Sequence, residues 1–269
     1  MPVPDGDFVL LKEAVRDAGA LAMRYFGTDL RKWSKDADNS PVTEADIAVN
    51  DLLQARLTSA RPEYGWLSEE TEDDAIRLSR RLTWVVDPID GTRAFARGQP
   101  HFVVSVALVA DGRPVIAALF NPATDEFFDA AIGGGARLNG RSIHVSNRSE
   151  IEGCRIAAFA PMFKHPGWSR AGIPPWPEMD ILERNSVAYR IALVACGMAD
   201  AALALNGKSD WDLAAADLIV TEARGCMTTH DGRPFTYNRE STRHRSLLVA
   251  GPALHDAMLA RLGAIRLPD

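Results

Sequence analysis

The chain has 269 residues, 46% of them hydrophobic and 25% charged, with a formal net charge of −6. This is ordinary globular composition with room for one large domain or two small ones, and its acidic balance argues against non-specific binding to nucleic-acid polymers or anionic membranes. There is no signal-peptide pattern and no apolar run long enough to span a bilayer, and three scattered cysteines (Cys154, Cys196, Cys226) make no zinc site, so a reducing, cytoplasmic setting is expected.

In chain order, "DFVLLKEAVRDAGALAMRYFG" repeats apolar residues at helical spacing and stops at Gly27. "VTEADIAVNDLLQARLTSA" is a second amphipathic helix, which Thr43 can cap, with Asp46 three positions on in an acidic variant of the capping box. "YGWLSEET" reads as a short strand ending in acids. "LTWVVDP" is apolar throughout, as a strand covered on both faces would be.

Residues 102–131 read as an antiparallel meander with turns at Asp111-Gly112 and Asn121-Pro122. "GGGARLNGRSIHVS" lacks the phosphate-loop pattern and reads as tight turns plus one strand. After about residue 150 strands and helices alternate: "CRIAAFA" is a strand, "SVAYRIALVACGMAD" a helix and "AALAL" a strand. "WDLAAADLIVTEARG" is then a helix ending at Gly225, "SLLVAG" a strand and "ALHDAMLARLGA" a closing helix. The Pro- and aromatic-rich segment 161–180 has no clean period and reads as a long loop, a candidate lid or interface. The division expected is an N-terminal α+β part, 1–148, with most of the candidate metal ligands, and a C-terminal α/β part, 149–269, with a mostly parallel sheet.

Carboxylates mark the ends of these elements: Glu69, Asp87, Asp90 and Asp212, with Asp46 as a fifth. Any one alone would be read as a helix cap or a solvated turn. "DPIDGT" is harder to dismiss. Pro88 fixes the chain after the strand, Asp87 and Asp90 can share a focus, and Ile89 can present its carbonyl to the same point. Gly91 permits close approach of a ligand, and Thr92 opens a helix whose N–H groups suit a phosphate. The six histidines form no HExxH-like pair. An all-oxygen donor set selects hard cations, Mg²⁺ first, and such ions beside a helix N-terminus make a phosphoryl-transfer site. The D-x-[DN]-x-[DN]-G loop of a calcium-binding EF-hand is absent.

At these residues the chain resembles the inositol monophosphatase superfamily of Mg²⁺-dependent, lithium-sensitive phosphomonoesterases. "SPVTEAD", "GWLSEET", "WVVDPIDGTRAF", "GQPHFVVSVAL", "GARLNGRSIHVS" and "DWDLAAADLIVTEARG" resemble its motifs in order, over almost the whole chain. The resemblance implies a five-layer αβαβα sandwich, antiparallel sheet first. It implies two or three Mg²⁺ ions, with Mn²⁺ as a substitute. Glu69, Asp87 and the Ile89 carbonyl would hold the first, and Asp87, Asp90 and Asp212 the second. Glu69 would also hold a weaker third, with Thr92 and Asp46 positioning the attacking water. It further implies phosphate binding by the backbone of Gly91 and Thr92, a basic residue near the metals at Lys35, and a homodimer.

One departure concerns specificity. Inositol-preferring members place a Glu about seven positions before the aspartate of the "WD" motif, and here that position is Leu205. Tyr237-Asn238 and Arg243 to Arg245 bear some likeness to bisphosphate nucleotidase relatives, which take 3′-phosphoadenosine 5′-phosphate. The leading expectation is a phosphomonoesterase for an inositol or other polyol or sugar monophosphate, with no nucleic-acid or membrane partner. The alternatives are a 3′(2′),5′-bisphosphate nucleotidase and, from another class, a non-catalytic phosphate-ligand binding protein on the same fold.

Overall fold

The computed structural model describes residues 6–34, 41–165, 168, 172–263 and 265. Two helices open the chain: α1 (Asp7–Tyr25) and, after the hairpin β1 (Lys32–Ser34) and β2 (Pro41–Thr43), α2 (Glu44–Ala60). A seven-stranded sheet follows in chain order, made of β3 (Gly65–Ser68), β4 (Leu82–Asp90), β5 (Val103–Ala110), β6 (Arg113–Asn121), β7 (Glu126–Ala131), β8 (Ala136–Leu138) and β9 (Arg141–Ser142). Only β3 and β4 pair parallel; the rest is the expected meander. A four-residue helix, α3 (Thr92–Phe95), follows β4. The stretch 133–146, read as tight turns plus one strand, carries two short strands in a hairpin, β8 and β9, because Asn139 and Gly140 both take positive φ, at 49° and 77°.

The second half comprises β10 (Arg155–Ala157), β11 (Asp180–Leu182), α4 (Val187–Ala195), β12 (Ala201–Ala204), β13 (Lys208–Ser209), α5 (Asp210–Glu222), β14 (Cys226–Thr228), β15 (Arg243–His244), β16 (Leu247–Ala250) and α6 (Pro252–Leu262). Its five-stranded sheet has the order β11-β10-β12-β16-β14. β10 pairs parallel with β11 and with β12, whereas β16 runs against both its neighbours. Four strands therefore share a direction, and the reversed β16 sits between β12 and β14. Helix α4 supplies the crossover that a parallel return needs, and α5 carries the chain from β12 to β14. No helix separates β14 from β16, which is why that pair is antiparallel.

Three apolar clusters show the layering. Even-numbered residues of β5 and β6 (Val104, Val106, Leu108, Ile116, Ala118) pack on α1 and α2. The odd ones (Val103, Ala107, Val109, Ala117, Leu119) pack on α4 and α5, whose other side meets Ala157, Ala202 and Val249 of the second sheet. The opposite face of that sheet (Ile156, Ala201, Leu203, Leu248) packs on Leu254, Met258 and Leu262 of α6. The order is the five-layer αβαβα sandwich, and each sheet is buried on both faces because strand side chains alternate.

The segment 161–180 is less free than a loop reading implies, although residues 166–167 and 169–171 lie outside the described residues. Trp168 and Ile173 are buried in the outer cluster, and the Phe163 and Trp168 rings meet Trp176 edge-on at 5.1 and 5.2 Å. Helix α5 ends one residue earlier than its glycine suggests: Arg224 takes the left-handed conformation, φ 66°. Gly225 is there for space, since a Cβ would lie 2.7 Å from Val220 Cγ2 and 2.8 Å from Val145 Cγ1.

Candidate active site

The site is built where β4 stops pairing regularly. Asp87 pairs with Ser105 and Asp90 with Val103, so β4 carries one residue more than β5 between these pairs. That is a β-bulge. Residues three apart on a regular strand point to opposite faces; the extra residue returns Asp90 to the side of Asp87. Pro88 sits in the bulge, where its missing N–H breaks no ladder bond. The "DPID" segment is thus a bulged strand end, where the sequence alone reads as a turn.

Helix N-termini bring the remaining acids. Asp212 is the third residue of α5, and its Oδ2 accepts the Ser209 N–H at 2.7 Å, one half of a capping box. Asp46 plays the same part in α2: its Oδ2 accepts from the Thr43 N–H (2.8 Å) and hydroxyl (2.6 Å). The other oxygen, Oδ1, lies 3.0 Å from the Thr92 hydroxyl. A third helix start holds Asp90, whose Oδ2 accepts from the Ala188 N–H (2.6 Å) and from Ser186 Oγ (2.7 Å), while Ser186 Oγ caps α4 by accepting the Tyr189 N–H. The starts of α2, α4 and α5 therefore converge on one acidic cluster, and their dipoles favour negative charge there. The cap reading of Asp46 and Asp212 holds, and it leaves each carboxylate a second oxygen for another partner.

Carboxylate oxygens of Asp87, Asp90 and Asp212 all lie within 4.8 Å of one another. Asp87 is 1% exposed; its Oδ1 accepts the Ile89 N–H at 3.1 Å, and its buried Oδ2 has no hydrogen-bond partner. Glu69 follows β3, its N–H on the Val86 carbonyl at 3.2 Å, and lines the cleft beside this trio rather than joining it. Thr92 Oγ is also 3.1 Å from the Ile89 carbonyl, so its one proton serves either Asp46 or Ile89. Lys35 lies outside the described residues.

Charge crowding sets the titration. Burial, then the charges of Glu69, Asp90 and Asp212, push Asp87 well above the usual carboxylate range. Burial raises Asp90 against the opposing bonds from Ser186 and Ala188. Asp212 is pushed up to about 7 by burial and by Asp90. Asp46 is pushed up to about 6 by burial, although Thr43 and Thr92 hydrogen-bond its charged form. Such a group of oxygens ionises together only beside positive charge. An unpartnered buried carboxylate oxygen, an all-oxygen donor set and a spacing of a few ångströms fit hard divalent cations.

Gly91 closes the bulge at φ 103°, where a Cβ would lie 2.7 Å from the His101 carbonyl oxygen and 3.2 Å from Ser186 Cβ. Backbone packing therefore requires this glycine whether or not a ligand approaches it. With Thr92 it borders an open cleft of about 640 Å³, lined also by Arg93, Phe159, Arg190, Lys208 and Arg243. Ser186, Arg190 and Phe159 escaped the sequence reading. Ser186 was readable as a cap before an apolar run, but its bond to Asp90, 96 residues away, was not.

Other candidates turn inward. Asp210 is fully buried, accepting from His244 Nε2 and the Asn238 N–H, both at 2.7 Å, so it faces away from the cleft. The Tyr237 hydroxyl is spent on Asp217 at 2.8 Å, and Asn238 Nδ2 on Thr83 at 3.0 Å. Arg245 lines a different cavity. Among the described residues no helix is long and apolar enough to cross a membrane.

Comparison with known proteins agrees with this geometry. The model of the inositol monophosphatase family matches residues 7–265. The chain is 33% identical to the inositol-1-monophosphatase of Caulobacter vibrioides, over 94% of this chain and 99% of that one. It is also 33% identical to the Nus factor SuhB of Xylella fastidiosa, over 90% and 88%. The crystal structure of the extragenic suppressor protein suhB from Bartonella henselae superposes with a TM-score of 0.81 at 30% identity, covering 94% of this chain and 97% of that one. The chain belongs to the inositol monophosphatase family, whose members are metal-dependent phosphoric monoester hydrolases.

Proposed function

We propose that this chain is a Mg²⁺-dependent phosphomonoesterase acting on small phosphorylated polyols or sugars, with inositol 1-phosphate as the reference substrate. The observation that carries the reading is the trio of Asp87, Asp90 and Asp212, with oxygens within 4.8 Å of one another and Asp87 Oδ2 buried without a partner. Two relatives that cover most of the chain carry the name inositol-1-monophosphatase.

In this reading Glu69, Asp87, Asp90, Asp212 and the Ile89 carbonyl hold the ions. Bound there, Mg²⁺ would supply Lewis acidity, offsetting phosphoryl charge and making water a better nucleophile. The chain's own groups do the rest. Asp46, fixed by Thr43, orients the Thr92 hydroxyl, and Thr92 orients the attacking water. Backbone groups at Gly91 and Thr92 receive the phosphoryl oxygens, and the N-terminal dipoles of α2, α4 and α5 stabilise the charge that spreads over them. The cleft then releases the alcohol through its open side.

The test is phosphate release from inositol 1-phosphate, a panel of sugar phosphates and p-nitrophenyl phosphate, with and without Mg²⁺, for the wild type and Asp87→Asn. Metal-dependent release that Asp87→Asn abolishes is expected. Full activity after exhaustive chelation, or no release from any ester, overturns the proposal.

A further inference from the structure

Asp87 and Asp90 come to the acidic trio from β4, and Asp212 comes from the second half of the chain. The start of α5 must therefore be held in register with β4. The capping box at Ser209 fixes Asp212 within its own helix, not against the sheet. Bonds that reach across to the first half lie on the other side of the same helical turn.

Asp210, two residues before Asp212, is fully buried. Its Oδ1 accepts from His244 Nε2 and its Oδ2 from the Asn238 N–H, both at 2.7 Å. Asn238 holds a left-handed backbone, φ 54°, and its side chain meets the first half of the chain. Its Nδ2 donates to Thr83 Oγ1 of β4 at 3.0 Å, and its Oδ1 accepts from Arg77 Nη1 at 2.8 Å. Arg77 lies in the helical turn Ala75–Ser79 between β3 and β4, is 2% exposed, and uses all five of its guanidinium N–H groups. Two go to Asp73, at 2.5 and 2.7 Å, one to Asn238 and two to the Arg239 carbonyl, at 3.1 Å. The series Asp73, Arg77, Asn238, Asp210 thus runs from the connection that follows Glu69 to the first turn of α5. A longer bond, from Ser105 Oγ to the Trp211 carbonyl at 3.3 Å, adds to it.

Stability alone does not account for this series. Burying a guanidinium and a carboxylate is costly, and well-packed apolar residues hold a core at least as well. Apolar packing sets α5 on β5 and β6, but such packing tolerates small shifts. Directional bonds impose one orientation, and metal ligands have to be held within a fraction of an ångström.

Resting on the reading of Asp87, Asp90 and Asp212 as the cation site, we propose that Arg77 and Asn238 are positioning residues for the reaction. Through Asp210 they set Asp212 against Asp87 and Asp90, and so set the affinity for Mg²⁺. Neither lines the cleft.

The experiment uses the full chain and compares wild type with Asn238→Gly, Arg77→Lys and Tyr237→Phe. Glycine keeps the left-handed backbone and removes both side-chain bonds. Lysine keeps the charge and loses the fork. Tyr237→Phe is the control: it removes a buried bond of the same segment, to Asp217 further along α5 at 2.8 Å, and leaves Asp210 alone. Mg²⁺ affinity is read by calorimetry and by the rise in melting temperature on titration, beside the Mg²⁺ concentration for half-maximal release from p-nitrophenyl phosphate. Asn238→Gly and Arg77→Lys should each bind Mg²⁺ about tenfold more weakly, as changes behind metal ligands do. Their kcat at saturating Mg²⁺ should stay within about threefold of wild type, because the ligands themselves are intact. Tyr237→Phe should melt lower and bind Mg²⁺ as wild type does. Melting in chelator shows which variants are folded, and Asn238→Gly, which leaves Arg77 four of its five bonds, decides if Arg77→Lys does not fold. The proposal falls if folded Asn238→Gly binds Mg²⁺ as tightly as wild type, or if Tyr237→Phe weakens binding as much. If wild type neither binds Mg²⁺ nor releases phosphate, the phosphomonoesterase reading fails and takes this proposal with it.

Discussion

Thr92 and Asp46 meet across 46 residues of sequence, the threonine hydroxyl 3.0 Å from Asp46 Oδ1, while Oδ2 of the same carboxylate caps α2 through Thr43. One side chain thus ties the first turn of α2 to the end of β4. The hydroxyl is not the cap of α3, because the N-cap there is Gly91.

Thr92→Ala therefore separates function from stability. Losing a hydroxyl that orients water should lower kcat by roughly 100-fold with little change in KM. The lost hydrogen bond should cost only about 1 kcal/mol of stability. Kinetics and melting on the same preparation check both figures; an unchanged kcat would leave Thr92 a purely structural role.

Asp90→Asn keeps shape and removes one negative charge. The amide oxygen can still accept from Ser186 and Ala188, which now hold Asp90 Oδ2. The rate should fall at least roughly 100-fold, since metal placement supplies several kcal/mol of transition-state stabilisation. In chelator the variant should melt at or above the wild-type temperature, because a repulsion among close acids is gone. The rise in melting temperature on adding Mg²⁺ should shrink. A variant that melts far lower in chelator contradicts this account of the cluster.

The metal-free protein should be more stable in mild acid. Folded Asp212 holds its proton up to about 7 and folded Asp46 up to about 6, from a starting value of 3.8. Between the starting and raised values the folded state binds more protons, so stability falls as pH rises. The contribution is complete below the starting value and gone once pH passes the raised ones. Melting in chelator should thus occur at higher temperature near about pH 5 than near about pH 8. Mg²⁺ should reverse that order, because cations and protons compete for the same oxygens. Identical pH profiles with and without Mg²⁺ would show that the cluster binds no cation.

Leu205→Glu tests the recess of about 570 Å³ that adjoins the cleft. Leu205 lines it with Arg190 and Lys208. A carboxylate there can accept hydrogen bonds from substrate hydroxyls, a type worth about 1.5 to 3 kcal/mol, or roughly 10- to 150-fold in rate. Turnover of inositol 1-phosphate relative to p-nitrophenyl phosphate should rise. Initial rates on the two substrates decide it, and a uniform loss on both would mean damage to the cleft.

Sequence alone determined the elements and the acids. Period, turn residues and capping patterns act over a few positions, so α2 with its Thr43 and Asp46, the 102–131 meander and the acid-rich ends of β3 and β4 were all legible. Tertiary structure decided the convergence. The bulge that turns Asp90 to the side of Asp87 depends on the register with β5. The grip on Asp90 comes from Ser186 and Ala188, almost a hundred residues away, because α4 lies in the layer between the two sheets. Asp210 and Asp212 both open α5, but the third position of the helix faces the cluster and the first faces His244. Arg190 comes to the cleft only because packing sets α4 beside β4 and β13. The physical reason is common to all four: a local pattern fixes which way a residue can point, and only the packing of layers fixes what it points at.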